Sequence, residues 1–411
     1  MLFLVIVLIP LLLSPTALAQ SSSSSVTAAA PSSSGAANST QDLEQIYNAL
    51  LQANYTGLLN FAASLPNTTE GQAVLDELVT GNKTLLVPSN EAFANLSQNI
   101  TNMTLVAQTV AYHILNNTYT ANGTRVAPNH SIARTILRDS EFSLPGNFSA
   151  PVVLARNASN ATNFEIVQFN ANTTTNVSAQ GPTQIANVLV YVIDQVLGLP
   201  VSIDQFASEA YSPTLAGEIQ DSGILSAIAA SPGVTVFAPT SGAFDNGPDF
   251  GSNITLVTED FANHIINGSV AYSTNFATGN YTSAGGQPFK FASNSSGTYV
   301  TVGNSTAKIV QSDIIISNGV VHLIDSVLVD TESHPAAAAS AFSSGIAAAQ
   351  TSTEPTSPVT ATTAPAASGS APSSTVSKSA GQRVATAPWG LAMSGALAGT
   401  VVLIQSACYL K

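Results

Sequence analysis

The sequence predicts an α+β protein built from two tandem copies of one domain. Three observations predict it. The segment Thr84-Leu-Leu-Val-Pro-Ser-Asn-Glu-Ala-Phe93 returns as Thr235-Val-Phe-Ala-Pro-Thr-Ser-Gly-Ala-Phe244 at an offset of 151 residues. The same offset carries Asn102 onto Asn253, His113 onto His264 and Asn116 onto Asn267. Further on, Val190-Tyr-Val-Ile-Asp-Gln-Val-Leu197 returns as Val321-His-Leu-Ile-Asp-Ser-Val-Leu328 at an offset of 131. Thirdly, short apolar strands and short amphipathic helices are interspersed in each copy without strict alternation. The copies occupy residues 41–200 and 201–330. The two offsets differ by 20 residues, an insertion in the first copy within the sequon-rich run around Asn157 to Val177.

At the start of the chain, residues 2–13 are apolar but too few to span a bilayer comfortably, and Ala17-Leu18-Ala19 follows them. This predicts a secretory signal peptide over 1–19. Residues 20–40 are rich in Ser and Ala and read as a disordered leader.

In each copy the first matched strand runs into Pro88 or Pro239. Ser89 or Thr240 then caps a helix whose Ala and Phe (Phe93, Phe244) turn inward. On the next helix Val106, Val110, His113 and Ile114 form one apolar stripe, as do Val257, Phe261, His264 and Ile265. The last matched block alternates as a strand, with Val190, Val192, Asp194 and Val196 on one face. Asn318-Gly319 before its second copy is a turn signal.

After residue 330 the composition changes to Ala, Ser, Thr and Pro, and 331–380 reads as an O-glycosylated stalk. Residues 381–411 end in Trp389 to Leu410, an uncharged stretch of 22 residues followed only by Lys411. Ser379-Ala380-Gly381, a short spacer and this apolar tail make the signal for a GPI anchor, with Ser379 as the attachment point. The alternative is a spanning helix of the same length, against which stands the lack of a basic flank. Either arrangement holds the chain to a membrane from outside.

Only 8% of the chain is charged, and the formal net charge is −13. Phosphate binding needs clustered Lys and Arg, so a nucleic-acid partner is excluded. The single cysteine, Cys408, excludes a disulfide framework and a Cys-based zinc site. What stands in place of charge is Ser, Thr and Asn. Of 31 asparagines, 20 lie in Asn-x-Ser/Thr, a density that predicts a heavily N-glycosylated extracellular surface. The candidate acceptors in the folded region are Asn54, Asn67, Asn102, Asn116, Asn122, Asn147, Asn253, Asn267, Asn280, Asn294 and Asn304.

The Pro-containing strand before Ala-Phe, the Tyr112-His113-Ile114-Leu115 helix end and Asn318-Gly-Val-Val-His-Leu-Ile-Asp-Ser-Val-Leu328 resemble the marks of the fasciclin-like, or FAS1, domain. The second copy carries the full pattern, including Asn318, Gly319, His322 and Asp325. In the first, Asn187-Val188 replaces Asn-Gly, which argues against a left-handed turn there, and Tyr191 replaces the strand His. The resemblance implies two small sheets packed as a wedge or sandwich and flanked by helices. It also implies adhesion at a cell surface or in extracellular matrix or cell wall, in the style of fungal surface proteins. The partner would be an extracellular protein or glycan, homophilic pairing included.

The resemblance further implies adhesion contacts at the Tyr-His and Asp-Ile positions of the family. Here these are Tyr112 and His113, the equivalent His264, and Asp313 with Ile314. Against this, His113 and His264 each lie on an apolar face with no second ligand at metal spacing, which predicts a buried histidine bonded to backbone. Asp194 and Asp325 are expected to take structural hydrogen bonds, because an unpaired carboxylate on an apolar face is costly. Arg125, Arg134, Arg138 and Arg156 are expected to pair with Asp139 and Glu141. No nucleophile elbow, Walker loop or metalloprotease motif is present. The chain is expected to be no enzyme and to need no cofactor or metal.

Overall fold

The computed structural model describes residues 35–94, 102–127, 129–142, 144–156, 164–168, 174–178, 181–211, 216, 220, 223–244, 254–355 and 359–360. The expected signal peptide, most of the leader, Asn253, Ser379 and the apolar tail lie outside them. No helix among the described residues is long and apolar enough to cross a membrane.

The repeat read from the sequence is a repeat of pairing. Strand β1 (Lys83–Pro88) is buried along its whole length, as befits an inner strand covered on both faces. It pairs antiparallel with β2 (Ile114–Leu115) and parallel with β8 (Val188–Ile193), which sets Lys83 opposite Val188 and Pro88 opposite Ile193. In the second domain β9 (Val234–Pro239) lies between β10 (Ile265–Asn267) and β14 (Gly319–Ile324), with Val234 opposite Gly319 and Pro239 opposite Ile324. β7 (Thr183–Ile185) completes the four-stranded sheet of domain 1, in the order β2-β1-β8-β7.

Alternation along β1 sends its side chains into two cores. Leu85 and Val87 join Ile46 and Leu50 of α1 (Gly35–Gln52) and Val106 and Val110 of α5 (Met103–Tyr112). Leu86 faces the other way, toward Leu154, Phe164, Tyr191 and Ile193. That second core is closed by a further sheet of β3 (Ser131–Arg134), β4 (Pro151–Arg156), β5 (Phe164–Val167) and β6 (Thr174–Asn176). In domain 2, Val234 and Ala238 face α6 (Ile203–Ala210) and α7 (Ile224–Ala229), while Phe237 faces Val300, Val302 and Ile324. There the 12-residue β13 (Ser305–Ile316) pairs with β14 on one side and β12 (Gly297–Val302) on the other; with β11 (Phe289–Asn294) they form one continuous sheet. Two register shifts in β13, between Ile309 and Gln311 and between Gln311 and Ile314, bend the sheet as bulges do.

Two expectations are corrected. The left-handed residue stands in the copy that lacks Asn-Gly: Ala186 has φ 47°, whereas none of residues 317–319 has a positive φ. The asparagines act alike in both copies. Asn187 Nδ2 donates to the carbonyls of Leu78 and Gly81, and Asn318 Nδ2 to those of Ile228 and Ser231. Gly319 is needed for close approach instead: a Cβ there would lie 1.9 Å from the carbonyl oxygen of Val234.

The second correction concerns the flanks. Residues 35–40, placed in the leader, begin α1. Residues 335–351, placed in the stalk, form the helix α10 (Pro335–Thr351), and β15 (Val359–Thr360) pairs antiparallel with β3. The alanine-rich run and the proline at its first turn explain the helix.

Candidate adhesion site

The family-implied contact residues are all inside. Tyr112, His113, His264, Asp313 and Ile314 are each at most 4% exposed. Tyr112 ends α5, and its hydroxyl donates to the Pro151 carbonyl at 3.1 Å. His113 caps the same helix; Nδ1 donates to the Thr109 carbonyl at 2.7 Å, and Nε2 accepts from the Leu197 N–H at 2.9 Å. His264 repeats this with the Asp260 carbonyl and the Leu328 N–H, both at 2.9 Å. Burial lowers both imidazoles to about 4, against the opposing backbone hydrogen bond. They are neutral structural pins, as their apolar surroundings predicted. Nearby, burial raises the Asp260 carboxyl to about 6.

Asp194 and Asp325, expected on an apolar strand face, instead stand exposed just past the ends of β8 and β14, and both find backbone. Asp194 accepts from the Asn176 N–H at 2.9 Å and Asp325 from the Lys308 N–H at 2.8 Å, so each ties a neighbouring strand. Pro88 and Pro239 end their strands, and the Ser89 hydroxyl accepts from Ala92 N–H as the expected cap. Phe93 meets Phe61 at a tilt of 40° with ring centroids 5.5 Å apart, and Phe244 meets Tyr211 edge-on at 5.9 Å.

One of the candidates, Asp313, helps to build an interface between the domains. Asp313 sits at a bulge of β13 with φ 60°, a conformation Asp tolerates better than most residues. Its carboxylate accepts from Ser273 N–H at 2.9 Å, from the Ser273 hydroxyl, and from His130 Nε2 of domain 1. Burial pushes that carboxyl up, but the hydrogen bonds from His130 and Ser273 outweigh it and hold it below the usual carboxylate range. His322 accepts from the Asp313 N–H at Nδ1 and donates from Nε2 to the Ala271 carbonyl, a neutral imidazole kept so mainly by burial. One nitrogen of His130 meets both the Ser273 hydroxyl and the carboxylate. A nucleophile–base–acid relay needs the two nitrogens of the histidine to face different partners, so this cluster is a latch.

An apolar cluster of Ile132 and Val153 from domain 1 with Tyr272 and Val320 from domain 2 adjoins the latch. The composition gave no hint of Arg134's place. It is 6% exposed, its guanidinium lies 5.4 Å from the Phe148 ring and 5.3 Å from the Tyr272 ring, and Nη1 donates to the Ser149 carbonyl. Among the described residues Asp139 accepts from Gln108, and Arg138 pairs with Glu354 in place of the expected Asp139 or Glu141. Between the domains lies a cavity of about 220 Å³ lined in part by Tyr112, Gln195, Pro200, Gln311 and Ser312.

The outward faces belong to the sequons. Asn54, Asn67, Asn102, Asn122, Asn147, Asn280, Asn294 and Asn304 are exposed. The equivalent pair Asn116 and Asn267 are half-buried, with Oδ1 accepting from Lys83 Nζ and from the Ser231 hydroxyl.

The chain belongs to the fasciclin domain family, whose family model matches it twice, at residues 42–200 and 211–330. It is 24% identical over 283 residues to a fasciclin-like arabinogalactan protein of Arthroderma benhamiae. That match covers 66% of this chain and 63% of the relative's length. A solved FAS1 domain pair from the insect cell adhesion molecule Fasciclin I matches 67% of this chain and 98% of its own, at 16% identity and a TM-score of 0.32.

Proposed function

We propose that the chain is a GPI-anchored extracellular glycoprotein that mediates adhesion between cells, or between cell and wall or matrix, through its two fasciclin domains. The tandem fasciclin pair, which fills most of the folded chain, carries this reading. Secretion and anchoring rest on the terminal signals, and the partner is an extracellular protein or glycan met by shallow surface contacts. Many anchored copies would multiply weak contacts. The burial of Tyr112, His113, His264, Asp313 and Ile314 moves those contacts to other, exposed residues of the pair. Deleting the gene should reduce attachment or aggregation. Unchanged attachment, with the wild-type protein first confirmed at the surface, counts against adhesion. Release of the protein by phosphatidylinositol phospholipase C tests the anchor separately.

A second reading is favoured by that same burial together with the eight exposed sequon asparagines. It is a structural coat glycoprotein acting through bulk and hydration. Loss of the phenotype on removing glycans, but not on changing exposed protein residues, would select it.

A further inference from the structure

The stretch after domain 2 runs back over both domains. Glu332 accepts from Asn263 and Gln287 of domain 2, and the His334 N–H then donates to the Gly285 carbonyl at 2.6 Å. Along α10, Phe342 lies against Gly268 so closely that a Cβ on that glycine would be 2.7 Å from the ring. Gly345 sits over Ser269, where a Cβ would be 2.3 Å from the hydroxyl oxygen. These contacts belong to domain 2. At its far end the helix crosses to domain 1, and a Cβ on Gly146 would be 2.4 Å from the Ala349 carbonyl oxygen. Glu354 then accepts from the Ser149 N–H at 2.7 Å and from its hydroxyl, and pairs with Arg138. Last, Val359 pairs with Ile132 and Thr360 with Ser131.

This segment is docked without being part of a core. α10 buries no residue, and none of the core clusters contains a residue beyond Leu328. Its grip comes from close approach at glycines, one carboxylate that is 12% exposed, and a two-residue strand. Such contacts can be undone without unfolding either domain. The edge it covers is short. Further along β3, the Arg134 carbonyl already accepts from the Asn116 N–H. By strand alternation Ile132 presents its N–H and carbonyl to the same side, toward Val359.

We propose that the two domains together form a docking surface for the chain's own residues 335–355 and 359–360, which act as a detachable strap fixing one domain against the other. The strap supplements the latch at Asp313, and it is the folded element that leaves first.

The test uses the full chain with spin labels at Ala73→Cys in domain 1 and Ser293→Cys in domain 2, on a Cys408→Ser background. In one set Glu354→Ala is combined with Gly345→Leu, which improves helix propensity yet forces α10 off Ser269. Hydrogen exchange is followed in the peptides carrying Ile132 and Leu86. In wild type the Ile132 amide should be protected. In the double variant its exchange should rise at least tenfold while Leu86 stays protected, and the label–label distance distribution should broaden. Should Leu86 also lose protection, Phe342→Ala replaces the double variant in the same comparison. Free exchange of Ile132 in wild type, or an unchanged distance distribution once the strap is off, overturns the proposal.

Discussion

The Leu197 N–H donates to His113 Nε2 at 2.9 Å, across 84 residues of sequence. The imidazole joins the end of α5 to the segment leaving β8, and the Leu328–His264 pair does so in domain 2. Accepting at Nε2 requires a neutral ring.

That requirement sets an acid sensitivity. The folded histidines protonate at about 4, below the ordinary value of 6.5. Between those values the unfolded chain holds protons that the folded chain does not, so their stabilisation is complete above pH 6.5 and declines as pH falls toward 4. The loss reaches on the order of 3 kcal/mol per histidine at the acid end. Asp260 works the other way in domain 2: its folded value near 6 lets the native state take up a proton first, offsetting part of the loss. Melting temperatures measured from pH 7 to 4 should fall. A His113→Gln variant should start lower at pH 7 and fall less steeply by about one proton's slope.

Asp313 holds the interdomain latch with its carboxylate and its left-handed backbone. Asp313→Asn keeps the backbone preference and removes the charge. It should destabilise the pair by about 1–3 kcal/mol in denaturant melts. Because the folded carboxyl titrates low, the contribution of the charge should be present above the ordinary carboxylate range and vanish in stronger acid. Equal melting curves for the two proteins at neutral pH would remove the latch from the account.

The sequon asparagines divide into two kinds. Asn102 caps α5 through Oδ1, which accepts from Thr104 and Leu105 N–H. Asn102→Asp should keep the cap and abolish any glycan, leaving stability of the unglycosylated protein within about 0.5 kcal/mol. Asn116 instead serves Lys83, an ammonium on a residue only 3% exposed. Asn116→Ala should therefore cost about 1–3 kcal/mol. Thr118→Ala, which destroys the same sequon on the exposed side, should cost almost nothing. Denaturant melts of deglycosylated protein read all three.

Gly319 and Val188 occupy equivalent places and should not exchange. Gly319→Ala forces a methyl group onto the Val234 carbonyl and should destabilise domain 2 by about 1–3 kcal/mol or more. Val188 is fully buried. Its replacement by Gly should cost domain 1 on the order of 2–4 kcal/mol through a cavity and a looser backbone. Each loss should be confined to its own domain, read by hydrogen exchange.

Much of this was legible in the residues. Inner strands such as β1 and β9 declare themselves as apolar runs ended by proline, and a repeated motif must repeat its pairing. The histidines were readable as core because an apolar stripe surrounded them. Arg134 was not, because its aromatic partners Phe148 and Tyr272 come from different domains and no local pattern joins them. Asp313 failed as a surface residue for a related reason: its burial depends on how the domains meet. Gly319 looked like a turn glycine, but the need for it comes from a strand 85 positions earlier in the chain. Residues 335–351 have the composition of a spacer although their alanines and leading proline favour a helix, and the pairing of Val359 and Thr360 with β3 depends on a partner strand that no local pattern announces.

The pairing of Thr360 with Ser131 also inverts a simple picture of the molecule. Read as beads on a string, the second domain would stand closest to whatever follows it. The described chain instead makes its last contact on the first domain, so any tether continuing from residue 360 departs from there. Ile132, the partner of Val359, belongs to the apolar cluster shared by both domains, so that point of departure lies at their seam.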